Sequence, residues 1–251
     1  MAWILFAVFV APAVVAVGIR LVFADRPHWS SASHEATGLA PAPSETMDPV
    51  VQVYAARTWG LRGAVAVHTW ISTKRSGAEH YVRHEVIGWR LRRTGTALVQ
   101  EPGRADAMWF SNRPTQLVDM RGPGVDAVID QVEAAVRDYP FSKRYETWPG
   151  PNSNTFTAFV GRRVPELRLV LPPTAIGKDY LADGAFVGRA PSGTGYQVSI
   201  RGVVSMTAAL REGIEVNLFG AAAGVGFYPP GIRLPGLGSW PYWPSGQNNM
   251  P

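Results

Sequence analysis

Residues 148–159 read W-P-G-P-N-S-N-T-F-T-A-F, and this stretch decides the fold around it. Two prolines flank a glycine and make a stiff turn, which excludes both helix and central strand. The next three residues, Asn152, Ser153 and Asn154, all favour the position just before a helix. An apolar pattern with helical spacing follows and has to end near Pro165. The sequence therefore predicts a short buried helix with a hydroxyl at its amino-terminal end. Free N–H groups and the helix dipole favour a nucleophile or an anion there, and ordinary capping is the alternative interpretation.

A β-hairpin is the clearest sheet signal before that helix. Residues 64–73 (A-V-A-V-H-T-W-I-S-T) and 80–91 are β-branched and aromatic, and a polar segment with a glycine separates them. A turn centred in that segment sets His68 opposite His84, whereas a one-residue slip sets it opposite Glu85. Either register gives His68 a polar partner, as a base beside a nucleophile requires.

The remaining patterns indicate an α+β fold in which helices pack on an antiparallel sheet. Strands are predicted at 50–56, 97–100, 107–110, 167–171, 196–207 and 214–219, and an amphipathic helix at 123–139. A loop or short helix at 174–184 contains Lys178 and Asp179. Asp179 and Glu85 are candidates for the third member of a Ser–His site, although surface charge is the simpler interpretation of each.

An apolar run opens the chain. Residues 2–19 are uncharged, Arg20 interrupts, and 21–24 are apolar again, which is about the length that crosses a bilayer. A cleaved signal peptide is the alternative, but no Lys or Arg precedes the run and Arg20 stands where a small-residue cleavage site belongs. The sequence predicts four segments, namely a transmembrane anchor at 1–24, a Ser/Pro-rich tether at 25–49, the folded domain at 50–228 and an irregular Pro/Gly/Trp-rich tail at 229–251.

Composition narrows the function classes. The chain has 251 residues and a net charge of +5 without any basic run, so nucleic-acid binding is not predicted. The absence of cysteine excludes a disulfide scaffold, a thiolate metal site and a cysteine nucleophile. His68, His80 and His84 match no familiar ligand spacing, and no phosphate-loop pattern is present, so neither a metal nor a cofactor is predicted.

The order of the motifs resembles that of the circularly permuted papain-like enzymes, which include permuted NlpC-type cell-wall peptidases, PPPDE peptidases and lecithin:retinol acyltransferase-like proteins. In these, a strand histidine comes first, and a cysteine opens a helix in a pattern close to N-C-x-x-F. Here A-V-H-T-W-I contains His68, and N-S-N-T-F places Ser153 in the position of the cysteine. The resemblance implies that Ser153 attacks, that His68 is the base, and that His84 or Glu85 orients His68. The residues expected to bind a ligand nearby are Asn152, Asn154, Trp70, Lys178 and Asp179.

The chain is more closely similar to a bacterial family of unknown function, DUF3750. The similar pieces are V-Q-V-Y-A-A-R-T-W-G, A-V-H-T-W-I, E-V-I-G-W, W-P-G-P-N-S-N-T-F, L-P-P-T-A-I-G-K-D-Y-L, P-S-G-T-G-Y-Q and L-P-G-L-G. This family brings no known activity.

Position 153 has serine where the papain-like enzymes have cysteine, and this difference leads to two hypotheses about function. A thiol at a helix start beside an imidazole becomes a thiolate near neutral pH, but a hydroxyl does not. The expected function is therefore a non-catalytic binding module or a subunit of a membrane assembly, and the Trp-rich tail is the expected contact with membrane proteins. The alternative is a serine hydrolase or acyltransferase acting on an amide or ester of peptidoglycan or lipid. The bilayer is the expected partner of the anchor. The positive charges after it weakly favour a cytoplasmic domain, whereas the cell-wall resemblance favours the periplasmic side of a bacterial inner membrane.

Overall fold

Two antiparallel sheets form the framework of the fold in this computed structural model, which describes residues 2–25 and 27–241. The first sheet consists of β1 (Val50–Arg57), β2 (Val67–Lys74), β3 (Tyr81–Val86), β4 (Leu98–Gly103) and β5 (Thr115–Arg121), in the order β4-β3-β2-β1-β5. The helices are α1 (Ala2–Leu5), α2 (Ala11–Phe23), α3 (Arg90–Thr94), α4 (Val125–Arg137) and α5 (Ser153–Arg163). Short 3₁₀ segments lie at Pro43–Glu45, Gly60–Ala64, Pro165–Leu167 and Ala182–Gly184.

The main core lies between the first sheet and the helices α4 and α5. Alternate residues of β1 and β2 face the helices, as period-two strands require. The α4 helix contributes an apolar stripe at helical spacing, and α5 is buried over most of its length. The core residues from these elements include Val51, Val53, Val67, Ile71, Val125, Ile129, Val132, Phe156 and Val160. The predicted α+β class, with antiparallel sheets and packed helices, is confirmed.

The second sheet follows α5 in sequence and has seven strands. They are β6 (Val187–Arg189), β7 (Gly195–Ile200), β8 (Val204–Ala209), β9 (Gly213–Leu218), β10 (Ala221–Phe227), β11 (Pro230–Leu234) and β12 (Gly238–Trp240), arranged in sequence order. The tail prediction for 229–251 is therefore wrong over 230–240, because β11 and β12 add to the sheet edge. Residues 242–251 lie outside the described residues.

Two predicted strands are absent from the described structure. Residues 107–110 form only isolated bridges, Ala107 with Ala36 and Trp109 with Asn112, because Phe110 and Ser111 adopt a left-handed conformation. Residues 167–171 follow a 3₁₀ turn and insert Leu residues into the core instead of pairing in a sheet. Tertiary burial explains the apolar pattern that had indicated a strand.

The N-terminal helix consists of α1, a π-helical segment (Phe6–Val10) and α2. It is the one helix among the described residues that is long and apolar enough to cross a membrane, with 21 residues from Trp3 to Phe23 and a mean hydropathy of 2.4. It does not stand free of the domain. Its Phe6–Val10 segment contacts β10, Ala16 is buried, and Arg20 donates to Asn112 Oδ1 at 3.0 Å.

Residues 27–49, most of the predicted tether, run along the domain surface. The Asp106 carboxylate accepts from the backbone N–H of Thr37 at 3.1 Å and of Leu39 at 2.6 Å. The buried Lys74 ammonium donates to the carbonyls of Thr46 and Asp48 at 2.9 and 3.1 Å. These contacts hold the segment that leads from the N-terminal helix into β1.

Candidate functional site

The start of α5 is built around Asn152, which is its N-cap. The Asn152 side-chain oxygen accepts from the backbone N–H groups of Asn154 at 2.9 Å and of Thr155 at 3.2 Å. The Thr155 hydroxyl in turn accepts from the Asn152 N–H at 3.1 Å, which completes a reciprocal cap. Ser153 is thus the first helical residue and not the cap. Asn152 is therefore the capping residue, and Ser153 lies at the positive end of the helix dipole.

The capped helix start is held between β2 and the loop after residue 171. Asn154 donates to the carbonyls of Val67 at 3.0 Å and Ile176 at 2.8 Å. Asn152 donates to the Ile176 carbonyl at 3.1 Å, and Gly177 approaches so closely that a Cβ there would lie 2.3 Å from the Asn152 amide nitrogen. Both asparagines were predicted to bind a ligand; their amides fix the backbone around Ser153.

His68 and Glu85 form a buried pair on β2 and β3. The His68 Nε2 lies 2.7 Å from the Glu85 carboxylate, and Arg83 pairs with the same carboxylate at 3.0 Å. The His68 ring also stacks on Trp109 with centroids 3.7 Å apart. A carboxylate and a stacked indole therefore fix the orientation of the imidazole.

The charge state of the pair follows from its surroundings. Burial lowers the pKa of His68, and it outweighs the opposing effect of Glu85. Burial on its own would raise the pKa of Glu85, but Arg83 and the His68 hydrogen bond hold that pKa below its ordinary value. Both pKa shifts agree with a neutral His68 imidazole that donates from Nε2 to an ionised Glu85 carboxylate. In this tautomer, the Nδ1 lone pair can accept a proton.

Both predicted hairpin registers are wrong. The ladder pairs Ile71 with His84, because the turn spans residues 75–80. His84 consequently points to the opposite face from His68, where its Nε2 lies 3.0 Å from the Thr73 hydroxyl. Glu85 contacts His68 diagonally across the two strands. Of the two residues predicted to orient His68, Glu85 is therefore in contact with it and His84 is not.

Three predicted binding residues do not share a cavity with His68 and Ser153. Trp70 is fully buried behind His68 and donates its indole N–H to the Ala105 carbonyl at 2.7 Å. Lys178 and Asp179 lie beneath the second sheet, where Lys178 pairs with Glu215 and Asp179 accepts from Gln197. The sequence could not show this, because Glu215 and Gln197 are distant along the chain.

A cavity of about 850 Å³ opens beside the helix start, and both His68 and Ser153 line it. Most of its remaining wall is apolar. The aromatic residues that line it are Trp29, Trp59, Trp89, Trp109, Phe110, Tyr145 and Trp148. No sequence motif predicted these residues as a site, although the nine tryptophans of the chain were a signal for it. A volume in the range of ligand pockets, apolar walls and a few converging polar groups are typical of a binding site.

Among the described residues, no hydrogen bond joins the Ser153 hydroxyl to the His68 ring. The Ser153 carbonyl, by contrast, accepts from Thr69 at 3.3 Å and from Thr157 at 3.2 Å. Within the described ranges, no group of three or more His, Cys, Asp or Glu side chains could hold a metal ion. The arrangement therefore contains an oriented base and a hydroxyl in one cavity without a formed contact between them.

The candidate site lies in a region that matches a known protein family. The family model described as a protein of unknown function (DUF3750) matches residues 48–180. The chain belongs to this family. The DUF3750 region contains the first sheet, α3 to α5 and all of the predicted site residues. The second sheet and two of the similar pieces, at 191–197 and 234–238, lie outside it. No curated protein and no solved structure matches the chain.

Proposed function

We propose that this DUF3750 protein is a membrane-anchored, non-catalytic binding module of the bacterial cell envelope, with a permuted papain-like domain on the periplasmic side. The aromatic cavity is the single observation that carries the proposal. Its size and apolar walls suit an amphiphilic molecule, such as a lipid or a lipid-linked cell-wall component. His68, Ser153 and Asn154 supply hydrogen-bonding groups at one part of the wall.

The order of elements supports the papain-like part of the proposal. A strand histidine, His68 on β2, precedes the residue that opens the buried helix α5, and both line one cavity. The N-terminal helix, by length and composition, supports the anchor. Residues that follow this helix closely, from Trp29 to His34, contribute to the cavity wall, so an anchored domain would hold the cavity near the membrane surface.

Two observations favour binding over catalysis. A serine hydroxyl needs a base in contact during attack, and the His68 ring makes no hydrogen bond to Ser153 in the described structure. Serine also gains far less than cysteine from the helix dipole, because its hydroxyl does not ionise near neutral pH.

The binding proposal can be tested with a photoreactive probe. Membranes that contain the full-length protein would be incubated with palmitic acid bearing a diazirine, irradiated, and analysed by peptide mass spectrometry. We expect cross-links in the segments of Trp89 and Trp109. Ala66 lines the cavity, so the larger side chain of Ala66→Trp should occupy part of it and reduce these cross-links several-fold. Ala208→Trp lies on the exposed face of the second sheet and should leave them unchanged. Cross-links confined to the N-terminal helix, or unaffected by Ala66→Trp, would contradict the proposal.

The second candidate is a serine hydrolase or acyltransferase acting on an amide or ester, and the His68–Glu85 pair supports it. In that reaction His68 Nδ1 takes the proton of the Ser153 hydroxyl as the oxygen attacks the carbonyl carbon, and then returns it to the leaving group.

A cysteine replacement tests this geometry, since the chain has no other thiol. Ser153→Cys should react with iodoacetamide at pH 6 at least tenfold faster than Ala66→Cys on the same cavity wall, because the dipole and His68 lower a thiol pKa. The double variant Ser153→Cys/His68→Gln should lose most of this advantage. Equal rates for the two single variants would exclude the enzyme and leave the binding module.

A further inference from the structure

The second sheet has its polar side inside and its apolar side outside. Antiparallel sheets of water-exposed domains normally bury the apolar face and expose the polar face. In this sheet the inward positions instead include Gln197, Ser199, Thr207, Glu215, Asn217 and Arg233, all of which are buried. Two of them contact the loop beneath: Glu215 pairs with Lys178, and Ser199 donates to the Asp179 carbonyl.

The outward positions form an exposed apolar surface, which we call the outer face. Register places Tyr196, Ala208, Ile214, Val225, Ile232 and Trp240 in one row across six strands. A second row contains Val187, Val198, Met206, Val216 and Ala223. Of the described outward strand positions, the only charged one is Arg189, in the edge strand β6.

The outer face is a large and continuous apolar surface. Side chains such as Tyr196 at 66 %, Val225 at 55 % and Trp240 at 71 % relative exposure extend across it. Its seven strands lie about 4.8 Å apart and rise about 3.3 Å per residue, so together they span roughly 500 Å². Contiguous apolar patches of that size mark an interaction surface.

The N-terminal helix identifies what covers this face. Its Phe6–Val10 segment contacts β10, and Ala223, an outward residue of β10, is only 5 % exposed. Farther along the helix, Ala13 and Ala16 lie beside Gly236, where a Cβ would be 2.8 Å from the Ala16 Cβ. The helix thus packs along the sheet over several turns, and the two exposed apolar surfaces are continuous.

We propose that the outer face lies against the lipid bilayer at the same depth as the N-terminal helix. This inference rests on the anchoring role proposed for that helix, because any lipid around Phe6–Val10 also reaches the neighbouring strands. The strands of transmembrane β-barrels show the same alternation of apolar-out and polar-in residues. Trp240 and Arg189 suit the edge of such a surface, where indole rings and cations meet the headgroups.

Site-directed spin labelling can test the proposal, since each introduced cysteine is the sole thiol. Nitroxide would be attached to full-length Met206→Cys, and to Val198→Cys as a second position on the outer face. Met47→Cys, at an exposed methionine outside the sheet, and Val15→Cys, at an exposed helix residue, are the controls. The proteins would be reconstituted in vesicles of phosphatidylcholine and phosphatidylglycerol. Collision with oxygen, which partitions into lipid, would be compared with collision with an aqueous nickel complex.

We expect the labels at 206, 198 and 15 to favour oxygen over nickel by at least threefold, and the label at 47 to show the reverse. A lipid-exposed label at 15 with nickel-accessible labels at 206 and 198 would overturn the outer-face inference and leave the anchor intact. Nickel access at all positions would overturn both. Labels at 206 and 198 shielded from both reagents would also overturn the inference, because a protein, such as a second copy of the chain, would then cover the face.

Discussion

Replacing Asn152 should separate the structural and chemical roles of the N-S-N-T segment. Asn152→Ala removes the cap that accepts from Asn154 and Thr155, which costs about 1 kcal/mol. It also removes a hydrogen bond of 3.0 Å to the Thr147 carbonyl, and leaving that group unpaired costs about 1–3 kcal/mol. The Ile176 carbonyl keeps its bond from Asn154. The expected loss in the free energy of unfolding is therefore about 2–4 kcal/mol.

Ser153→Ala is the matched control, because the described residues offer its hydroxyl no hydrogen-bond partner. Its effect on stability should stay within about 0.5 kcal/mol. Both variants would be unfolded in urea as full-length proteins in a mild detergent, and tryptophan fluorescence and far-ultraviolet circular dichroism would be followed. Equal destabilisation by the two substitutions would refute the assignment of the cap to Asn152 and would give the Ser153 hydroxyl a structural role.

Three further predictions concern stability. Burial lowers the pKa of His84 to about 4, so the folded protein favours the neutral ring. The stability that this preference contributes is fully present above the unfolded-state pKa of about 6.5, and it is lost as the pH falls to about 4. The loss amounts to about 3 kcal/mol, and His84→Gln should flatten that part of the stability–pH curve; an unchanged slope would contradict the assignment. Gly177→Ala should destabilise by about 2 kcal/mol or more, because φ is +98° and the new Cβ would meet Asn152, whereas Gly95→Ala, at φ +74° with open space around it, should cost about 1 kcal/mol. Thermal unfolding compares the two, and equal shifts would exclude the close approach as the cause. Lys178→Met should cost about 3 kcal/mol because it removes the buried cation next to Asp179 and leaves Glu215 with only Arg233. Arg75→Met, which breaks exposed ion pairs, should cost less than about 1 kcal/mol. Chemical denaturation checks this pair, and a small effect at Lys178 would show that the buried network repacks.

Local sequence patterns were sufficient to predict a helix or strand where one short segment contained all of the residues that determine it. The proline turn and the three possible caps at 152–154 predicted the start of α5 to within two residues, and Pro165 predicted its end. The period-3.6 stripe at 123–139 and the aromatic run at 64–73 gave α4 and β2 within a few residues. The membership of the DUF3750 family could also be recognised from short motifs, because they survive as contiguous sequence.

Non-local packing decided the rest of the candidate site. The hairpin register depends on the length of the turn, which separates His84 from His68 and brings Glu85 to the imidazole. The aromatic wall of the cavity gathers residues from 29 to 148, and no local period predicts that assembly.

By itself, the sequence determined the apolar N-terminal helix, the α+β class, and the position of Ser153 at a helix start, because capping, proline geometry and hydrophobic periodicity act between near neighbours. Only the tertiary structure decided which side of the second sheet faces outward. Alternation along β7 to β9 specifies two faces but not which one is covered. The buried charges of Lys178, Glu215 and Arg233 fix that choice. A charge taken out of water needs a partner, and those partners come together only when the chain has folded.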